Sequence, residues 1–303
     1  MSGIALLFAV LPSVLVPQQP LSFRADVESV YVDVFVSRDG EPVRGLRAEN
    51  FELRDNDVRQ QIRLVSVDSV PTAVVLVFDR SSSVAGERLD HLRSAADAVL
   101  DGLRPGDQAA LITFNYEVQL QVGLTEELSR IRSALDHVEA YGTTALHDAA
   151  YAALALPARA ARPVIVLFSD GEDNSSWLAA EDVWSAARRS DALLQAVAVA
   201  EPIPVTDWSR QGAALEVKWV EHPRVLALRR IAEATGGRFW QVEKTEELKE
   251  TFLRILSELR TRYLLSFEPT GVVRAGQHEL EVRLEGASGK IRSRHSYYLP
   301  ASR

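Results

Sequence analysis

The 303-residue chain contains no cysteine, which excludes a disulfide framework, a thiolate metal site and a cysteine nucleophile. Its 16 glycines and 13 prolines are too few for a fibrous or low-complexity protein. Basic residues, 34 against 42 acidic ones, form no basic block, so we expect no nucleic-acid partner. The chain also lacks the GxSxG, GxxxxGKS/T and GxGxxG patterns of common catalytic and nucleotide-binding loops. Hydrophobic residues make up 47%, enough to bury a sizeable core.

Long hydrophobic runs are scarce as well. The apolar stretch Ile4 to Val16 has about 13 residues, whereas a membrane-spanning helix needs about 20. We interpret residues 1–20 as a signal peptide, which predicts a secreted, periplasmic or cell-surface protein without a transmembrane span. The alternative is that this stretch is a buried strand or helix of the fold.

Both ends of the chain show β patterns. Residues 28–37 alternate valine with other side chains, which is the periodicity of a strand. Residues 278–285 alternate in the same way, and residues 290–298 are expected to form the last strand. Each end is too small to bury a core alone. We therefore predict one β domain that is built from residues 26–70 and 262–303.

The middle of the chain, residues 71–261, alternates strands with helices. The stretches 73–78 and 164–168 are continuously apolar, which is typical of strands covered on both faces of a parallel sheet. The predicted fold class is α/β, a doubly wound, mostly parallel sheet inserted into a small antiparallel β-sandwich-like domain. Residues 201–222 fit neither pattern and are expected to be a surface insertion.

Polar loops follow the buried strands, at the position where open α/β sheets bind ligands. Residues 79–83, DRSSS, follow the first strand and form a DxSxS pattern. Residues 169–174, SDGEDN, follow the second strand, and residues 141–146, YGTTAL, lie between the two at the start of a helix. The three loops together predict a shared site. The alternative is that Asp79, Thr144 and Asp170 only cap helices.

The segments FDRSSSV, YGTTALHDA and VLFSDGEDNSS closely resemble the metal-ion-dependent adhesion site of von Willebrand factor A domains, and the resemblance covers about residues 71–260. The flanks YVDVFVSRDGEPVRGLRAENFELRDN and YLLSFEPTGVVRAGQHELEVRL resemble a bacterial, Acidobacteria-type group of such proteins, which are often exported. The family usually has glycine where this chain has Ser82, so a positive φ there would strain the serine. The resemblance implies these metal ligands: Asp79, Ser81, Ser83, Thr144 and Asp170.

All five side chains offer oxygen, which favours a hard cation, Mg²⁺ first and Mn²⁺ or Ca²⁺ as alternatives. In the family's geometry Asp170 acts through water, so the ion keeps an open or water-filled position. An Asp or Glu carboxylate of a partner protein can complete it. The resemblance therefore implies a non-enzymatic, metal-dependent protein-binding or adhesion module. The alternatives are an assembly or structural subunit of a cell-envelope complex and a metal-dependent hydrolase.

Some residues near the loops have two interpretations. Glu172 and Asp173 either tune the rim of the site or belong to a solvated loop. His147 is either a packing residue or a ligand. Four tryptophans either pack in the core or, where exposed, indicate a partner surface: Trp177, Trp184, Trp208 and Trp219.

Overall fold

The computed structural model of the protein describes residues 29–65, 70–156, 162–200, 203–206, 217–220, 222–273 and 275–300. The strands are β1 (Val30–Arg38), β2 (Glu41–Pro42), β3 (Phe51–Asp55), β4 (Val58–Arg59), β5 (Ile62–Val65), β6 (Thr72–Asp79), β7 (Gln108–Phe114), β8 (Val118–Thr125), β9 (Arg162–Ser169), β10 (Leu193–Val199), β11 (Ile203–Thr206), β12 (Val217–Val220), β13 (Arg238–Val242), β14 (Tyr263–Phe267), β15 (Gly276–Leu284), β16 (Lys290–Arg292) and β17 (Ser296–Leu299). The helices are α1 (Glu87–Asp101), α2 (Leu128–Asp136), α3 (Leu146–Leu154), α4 (Ala180–Ala187), α5 (Pro223–Ala234) and α6 (Leu248–Thr261). Within these ranges no helix is long and apolar enough to cross a membrane. The expected signal peptide, residues 1–20, lies outside them.

The α/β domain is built on a six-stranded sheet with the order β13-β10-β9-β6-β7-β8. Every neighbouring pair is parallel except β7 with β8. The inner strands are apolar on both faces because helices cover both faces. Leu76 and Phe78 of β6 share a core with α1 and α6, whereas Val75 and Val77 share a core with α3, α4 and α5. The predicted doubly wound, mostly parallel sheet is confirmed.

The β domain contains strands from both ends of the chain. The antiparallel pair β1–β14 places Val32 beside Leu265, and the antiparallel pair β3–β15 places Leu53 beside Val282. The pairs belong to two sheets, β16-β1-β14-β5 and β17-β15-β3-β4, whose inner residues share one apolar cluster. The antiparallel, sandwich-like part of the predicted fold class is therefore confirmed, while the domain bounds at residues 70 and 262 stay a prediction.

The prediction of a single last strand over residues 290–298 is wrong. β16 pairs with β1 in one sheet, and β17 pairs with β15 in the other. Between them the Arg294 side chain is buried and donates hydrogen bonds to Tyr31 O (2.5 Å) and Asp191 Oδ1 (2.6 Å). His295 O accepts a 2.8 Å hydrogen bond from Leu280 N–H. These tertiary contacts turn the chain from one sheet into the other.

The expected insertion at residues 201–222 contains an antiparallel hairpin. β11 pairs with β12 and places Ile203 beside Val220, in a sheet separate from the central one. Residues 201–202, 207–216 and 221 lie outside the described residues, and Trp208 is among them. The insertion therefore has regular structure where the sequence pattern indicated none.

A buried ion cluster joins the two domains. Glu258 of α6 is 5% exposed and accepts hydrogen bonds from Arg262 Nη1 (3.2 Å) and from Arg292 of β16. Arg262 also donates to the backbone oxygens of Asp33 in β1 (3.2 Å) and Gly236 (3.0 Å). One carboxylate thus links the last helix of the α/β domain to strands of the β domain.

Candidate metal centre

Asp79 lies at the end of β6, next to the end of β9. Because these strands are parallel neighbours, Asp79 and Ser169 emerge at the same edge of the sheet. The Ser169 hydroxyl donates a 2.8 Å hydrogen bond to Asp79 Oδ2, and Ser81 N–H donates one of 2.8 Å to Oδ1. The carboxylate is therefore fully buried with both oxygens held in place.

Backbone hydrogen bonds fasten the three polar loops to one another. Ser82 N–H donates to Gly142 O (3.0 Å), which joins the first loop to the second. Thr144 N–H donates to Asn174 Oδ1 (2.8 Å), and Asn174 N–H donates back to Thr144 O (3.0 Å), which joins the second loop to the third. Gly142 has a φ of +82°, a conformation that favours glycine. The loops that the sequence placed at one edge of the sheet do lie together.

The charge distribution at Asp79 fits a bound cation. Burial raises the pKa of Asp79 from its ordinary value of 3.8 to about 6. Hydrogen bonds from Ser81 and Ser169 lower this pKa, and the charge of Asp170 raises it. The two carboxylates therefore lie close enough to repel each other. A divalent cation at this edge of the sheet would offset both the repulsion and the lost solvation.

The other candidate ligands lie around Asp79. Ser81 Oγ and Ser83 Oγ are 3.0 Å apart, with Ser81 buried and Ser83 exposed. Thr144 is buried, and Asp170 is half-buried. No cluster of three or more His, Cys, Asp or Glu that could hold a metal occurs among the described residues. A metal here would therefore depend on hydroxyl oxygens as well as carboxylates, a donor set that suits a hard cation. That these five residues are ligands stays a prediction.

The contacts of Asp79, Thr144 and Asp170 are not those of residues that cap helices. The helix that follows the second loop begins at Leu146, and its N-cap is Ala145 rather than Thr144. Asp79 and Asp170 each accept a hydrogen bond from the backbone N–H two residues ahead, that of Ser81 and that of Glu172. These are Asx turns, which shape a loop rather than start a helix.

Ser82 stands where the resembling family has glycine, yet its backbone carries no positive φ. Ser82 instead begins a short 3₁₀ helix over Ser82–Val84. The strain that the sequence comparison suggested is therefore absent.

Asp173 has a role that the sequence did not reveal. Its Oδ1 accepts hydrogen bonds from Leu146 N–H (2.9 Å) and the Ser176 hydroxyl (2.5 Å), so it satisfies the first turn of α3 from a distant loop. His147 Nδ1 lies 2.9 Å from Asp173 Oδ2. Glu172, by contrast, is exposed and pairs with Arg224 (3.2 Å). No local pattern reveals a cap that comes from about 27 residues further along the chain.

The His147–Asp173 pair makes the attachment of the third loop depend on pH. The hydrogen bond to Asp173 raises the pKa of His147. Burial raises the pKa of Asp173, but hydrogen bonds from His147 and Ser176 outweigh it and lower the net value. Both partners are therefore charged together over a wider pH range than they would be apart.

We expect His147→Gln to destabilise the protein more at pH 6 than at pH 9. The folded-state pKa of His147 is raised, so its stabilisation is complete below the unfolded value of about 6.5 and is lost as the pH rises through the folded value. Urea denaturation of both proteins at the two pH values measures the difference. An NMR titration that gave His147 a pKa below 6.5 would contradict the expectation.

Exposed aromatic side chains occur on these loops and on the neighbouring turn between β7 and β8. Trp177 is 96% exposed, so for this residue the partner-surface interpretation replaces core packing. Its backbone N–H donates to Asp148 Oδ2 (3.0 Å), which holds it at the start of α3. Tyr116 and Tyr141 are exposed too and form an edge-to-face pair with centroids 6.2 Å apart. Exposed tryptophan and tyrosine are typical of protein–protein interfaces.

Comparisons with known proteins agree with this fold. The sequence model of the von Willebrand factor type A domain family matches residues 74–172, a range that contains all five candidate ligands. Among curated proteins, inter-alpha-trypsin inhibitor heavy chain H4 from Bos taurus is 30% identical over 121 residues. That match covers 35% of this chain and 13% of the bovine protein, so the chain spans a small part of that relative.

Two solved structures share the architecture. The von Willebrand factor type A structure from Catenulispora acidiphila is 14% identical with a TM-score of 0.51, and the match covers 88% of this chain and 76% of that one. Proximal thread matrix protein 1 from the mussel byssus, with a zinc-occupied MIDAS motif, is 19% identical with a TM-score of 0.51, over 67% and 49% of the two chains. At such identities the likeness concerns the fold. Residues 74–172 match the von Willebrand factor type A domain, a family of metal-dependent protein-interaction modules, and the shared architecture agrees with that match.

Proposed function

We propose that this protein binds a protein partner through a divalent cation held by Asp79, Ser81, Ser83, Thr144 and Asp170. The observation that carries the proposal is the buried Asp79 carboxylate, whose described hydrogen-bond partners are a backbone N–H and a hydroxyl rather than a basic side chain. When bound, the cation supplies the missing positive charge. We propose Mg²⁺ first, with Mn²⁺ or Ca²⁺ as alternatives, because every donor atom is an oxygen.

The partner is proposed to offer an Asp or Glu carboxylate. The candidate ligands include only two carboxylates, and Asp170 is only half-buried, which supports an exchangeable position on the solvent side. The exposed ring of Trp177 lies on the same loops and provides apolar surface around such a contact. A nucleic-acid partner is not part of the proposal, because the formal net charge of the chain is −8.

A binding role is preferred to hydrolysis because, among the described residues, no histidine is hydrogen-bonded to the Ser81 or Ser83 hydroxyl. The Ser81 hydroxyl lies 3.0 Å from the Ser83 hydroxyl, and the Nδ1 atom of His147 faces Asp173. We propose that the protein is not an enzyme and that it is exported from a bacterial cell. Export rests on the pattern of residues 1–20, and the bacterial assignment on the resemblance of the flanking segments. A structural subunit of a cell-envelope complex is the second candidate.

Fluorescence anisotropy with labelled glutamate-containing peptides, each paired with its glutamine counterpart, tests the proposal. We expect the glutamate peptides alone to bind, in Mg²⁺ and not in EDTA, and Ser83→Ala to weaken binding about tenfold. Trp177→Ala should weaken peptide binding while Mg²⁺ affinity is retained, because its side chain contacts solvent. Equal binding of both peptides would refute carboxylate recognition, and ester or phosphoester turnover that is lost in Ser81→Ala would refute the non-enzymatic role.

A further inference from the structure

A polar cavity, called here the Arg80 cavity, lies beside the candidate metal centre, between the edge strand β8 and helix α2. Its volume is about 810 Å³. Ser129, Ser133 and His137 line it at a spacing of four residues, so they share one face of α2 and its C-terminal end. Arg80 and Tyr141 line it from the first and second loops of the site. None of the five candidate metal ligands is among the described residues that line it.

Arg80 is the distinctive residue of this cavity. It is 5% exposed, and its Nε and Nη2 atoms are buried without a hydrogen-bond partner among the described residues. The Tyr141 ring covers one face of the guanidinium, with Cζ 4.8 Å from the ring centroid. The Nε and Nη2 groups thus find no acceptor among the described residues, and the residue that carries them lines the cavity. A buried cation without an acceptor is unfavourable, so the site favours a ligand that brings negative charge.

The backbone holds Arg80 in this position. Its N–H donates to Phe114 O (2.7 Å), and its carbonyl oxygen accepts a hydrogen bond from Tyr141 N–H (2.9 Å). The backbone of Arg80 is thus fixed both to the end of β7 and to the backbone of Tyr141. Preorganised donors of this kind lose little conformational freedom when a ligand binds.

The charge of the cavity is opposite to that of the chain. Arg80 and Arg130 line it against one carboxylate, that of Glu139, although the formal net charge of the protein is −8. His137 Nδ1 lies 2.6 Å from Ser133 O, so Nδ1 carries a proton and donates it. The cavity is therefore a locally positive surface on an acidic protein.

We propose that this cavity binds a tetrahedral oxyanion, the phosphate of a phosphomonoester. Donors reach it from the loop that carries Arg80 and, on another side, from Ser129, Arg130 and Ser133 of α2. A tetrahedral anion has oxygens for donors on several sides, whereas a planar carboxylate presents its two oxygens to one side. The cavity is open to solvent and its volume exceeds that of a single phosphate ion, which leaves room for the organic part of a phosphomonoester.

Isothermal titration calorimetry in EDTA tests this site separately from the metal centre. The probes are inorganic phosphate, inorganic sulfate, glucose 6-phosphate and acetate, at an ionic strength matched with sodium chloride. We expect saturable binding of phosphate and sulfate, tighter binding of glucose 6-phosphate and weaker binding of acetate. No saturable heat with phosphate, or acetate binding as tight as phosphate, would overturn the proposal.

Variants of the cavity complete the test. Arg80→Met should weaken phosphate binding about tenfold, and Ser133→Glu should abolish it by adding a negative charge from the exposed face of α2. Lys249→Gln, which removes an exposed positive charge from α6, should leave binding unchanged. If Arg80→Met does not fold, Ser133→Glu decides the outcome, since its position is exposed. Wild-type affinity in Ser133→Glu would overturn the assignment to this cavity.

Discussion

Asp79→Asn is expected to abolish the rise in melting temperature that Mg²⁺ causes in the wild type, and to stabilise the metal-free protein at pH 8. The folded-state pKa of Asp79 is raised from 3.8 to about 6, so the metal-free fold loses stability as the pH rises through this window. At about 1.4 kcal/mol per pKa unit, the buried charge costs on the order of 3 kcal/mol at pH 8. Asparagine removes that charge.

Asparagine is a sharper test than alanine at this position. Its Oδ1 can still accept the hydrogen bond from Ser81 N–H, and its Nδ2–H can donate to the Ser169 hydroxyl oxygen. Alanine would leave both donors without an acceptor in a buried place, at a cost of about 1–3 kcal/mol each. The metal-free gain in Asp79→Asn should disappear near pH 4, where the wild-type side chain is protonated too.

Thermal denaturation of both proteins, with Mg²⁺ and with EDTA, measures the effect. At a free Mg²⁺ concentration a hundredfold above the dissociation constant, the wild type should gain about 2.7 kcal/mol. The matched control is Asp90→Asn, which removes an exposed carboxylate from α1 and should keep the full Mg²⁺ shift. An equal shift in wild type and Asp79→Asn would show that the ion binds elsewhere.

Glu258→Ala is expected to lower the free energy of unfolding by about 3–5 kcal/mol. The substitution removes the nearer carboxylate, that of α6, from the buried Arg262 guanidinium, which keeps Asp33 Oδ1 at 3.6 Å, and it removes the contact to Arg292 of the β domain. Charges that lose their partner in a buried place are among the largest single-residue destabilisations. Urea denaturation followed by circular dichroism measures the change.

Glu250→Ala provides the control, because Glu250 is exposed on the same helix. We expect a change below about 0.5 kcal/mol there. If the two variants lost similar stability, the Glu258 cluster would contribute no more than an ordinary surface charge.

The sequence was sufficient to predict the α/β fold class and to place the polar loops at one edge of the sheet. The apolar run before Asp79 marks a strand covered on both faces, and polar residues follow it directly. Strand and loop lie next to each other in the chain, so the pattern is local. The pairing of β1 with β14 was predictable for a different reason, since neither end of the chain could bury a core alone.

Contacts between distant parts of the chain were not predictable in this way. The break between β16 and β17 depends on Arg294, whose partners include Tyr31 and Asp191. The cap on α3 comes from Asp173, which lies in a distant loop. The donors of the Arg80 cavity meet only when β8, α2 and the loop that carries Arg80 pack together. Each of these features rests on side chains that no periodicity connects.

The central claim is that Asp79, Ser81, Ser83, Thr144 and Asp170 hold one divalent cation. Titration with Mn²⁺, followed by electron paramagnetic resonance of the free ion, tests this claim most directly, since it needs neither a partner nor a change in stability. We predict one Mn²⁺ bound per wild-type chain, displaced by Mg²⁺, and none bound by Asp79→Asn. One Mn²⁺ bound by both proteins with equal affinity, or none bound by the wild type, would contradict it.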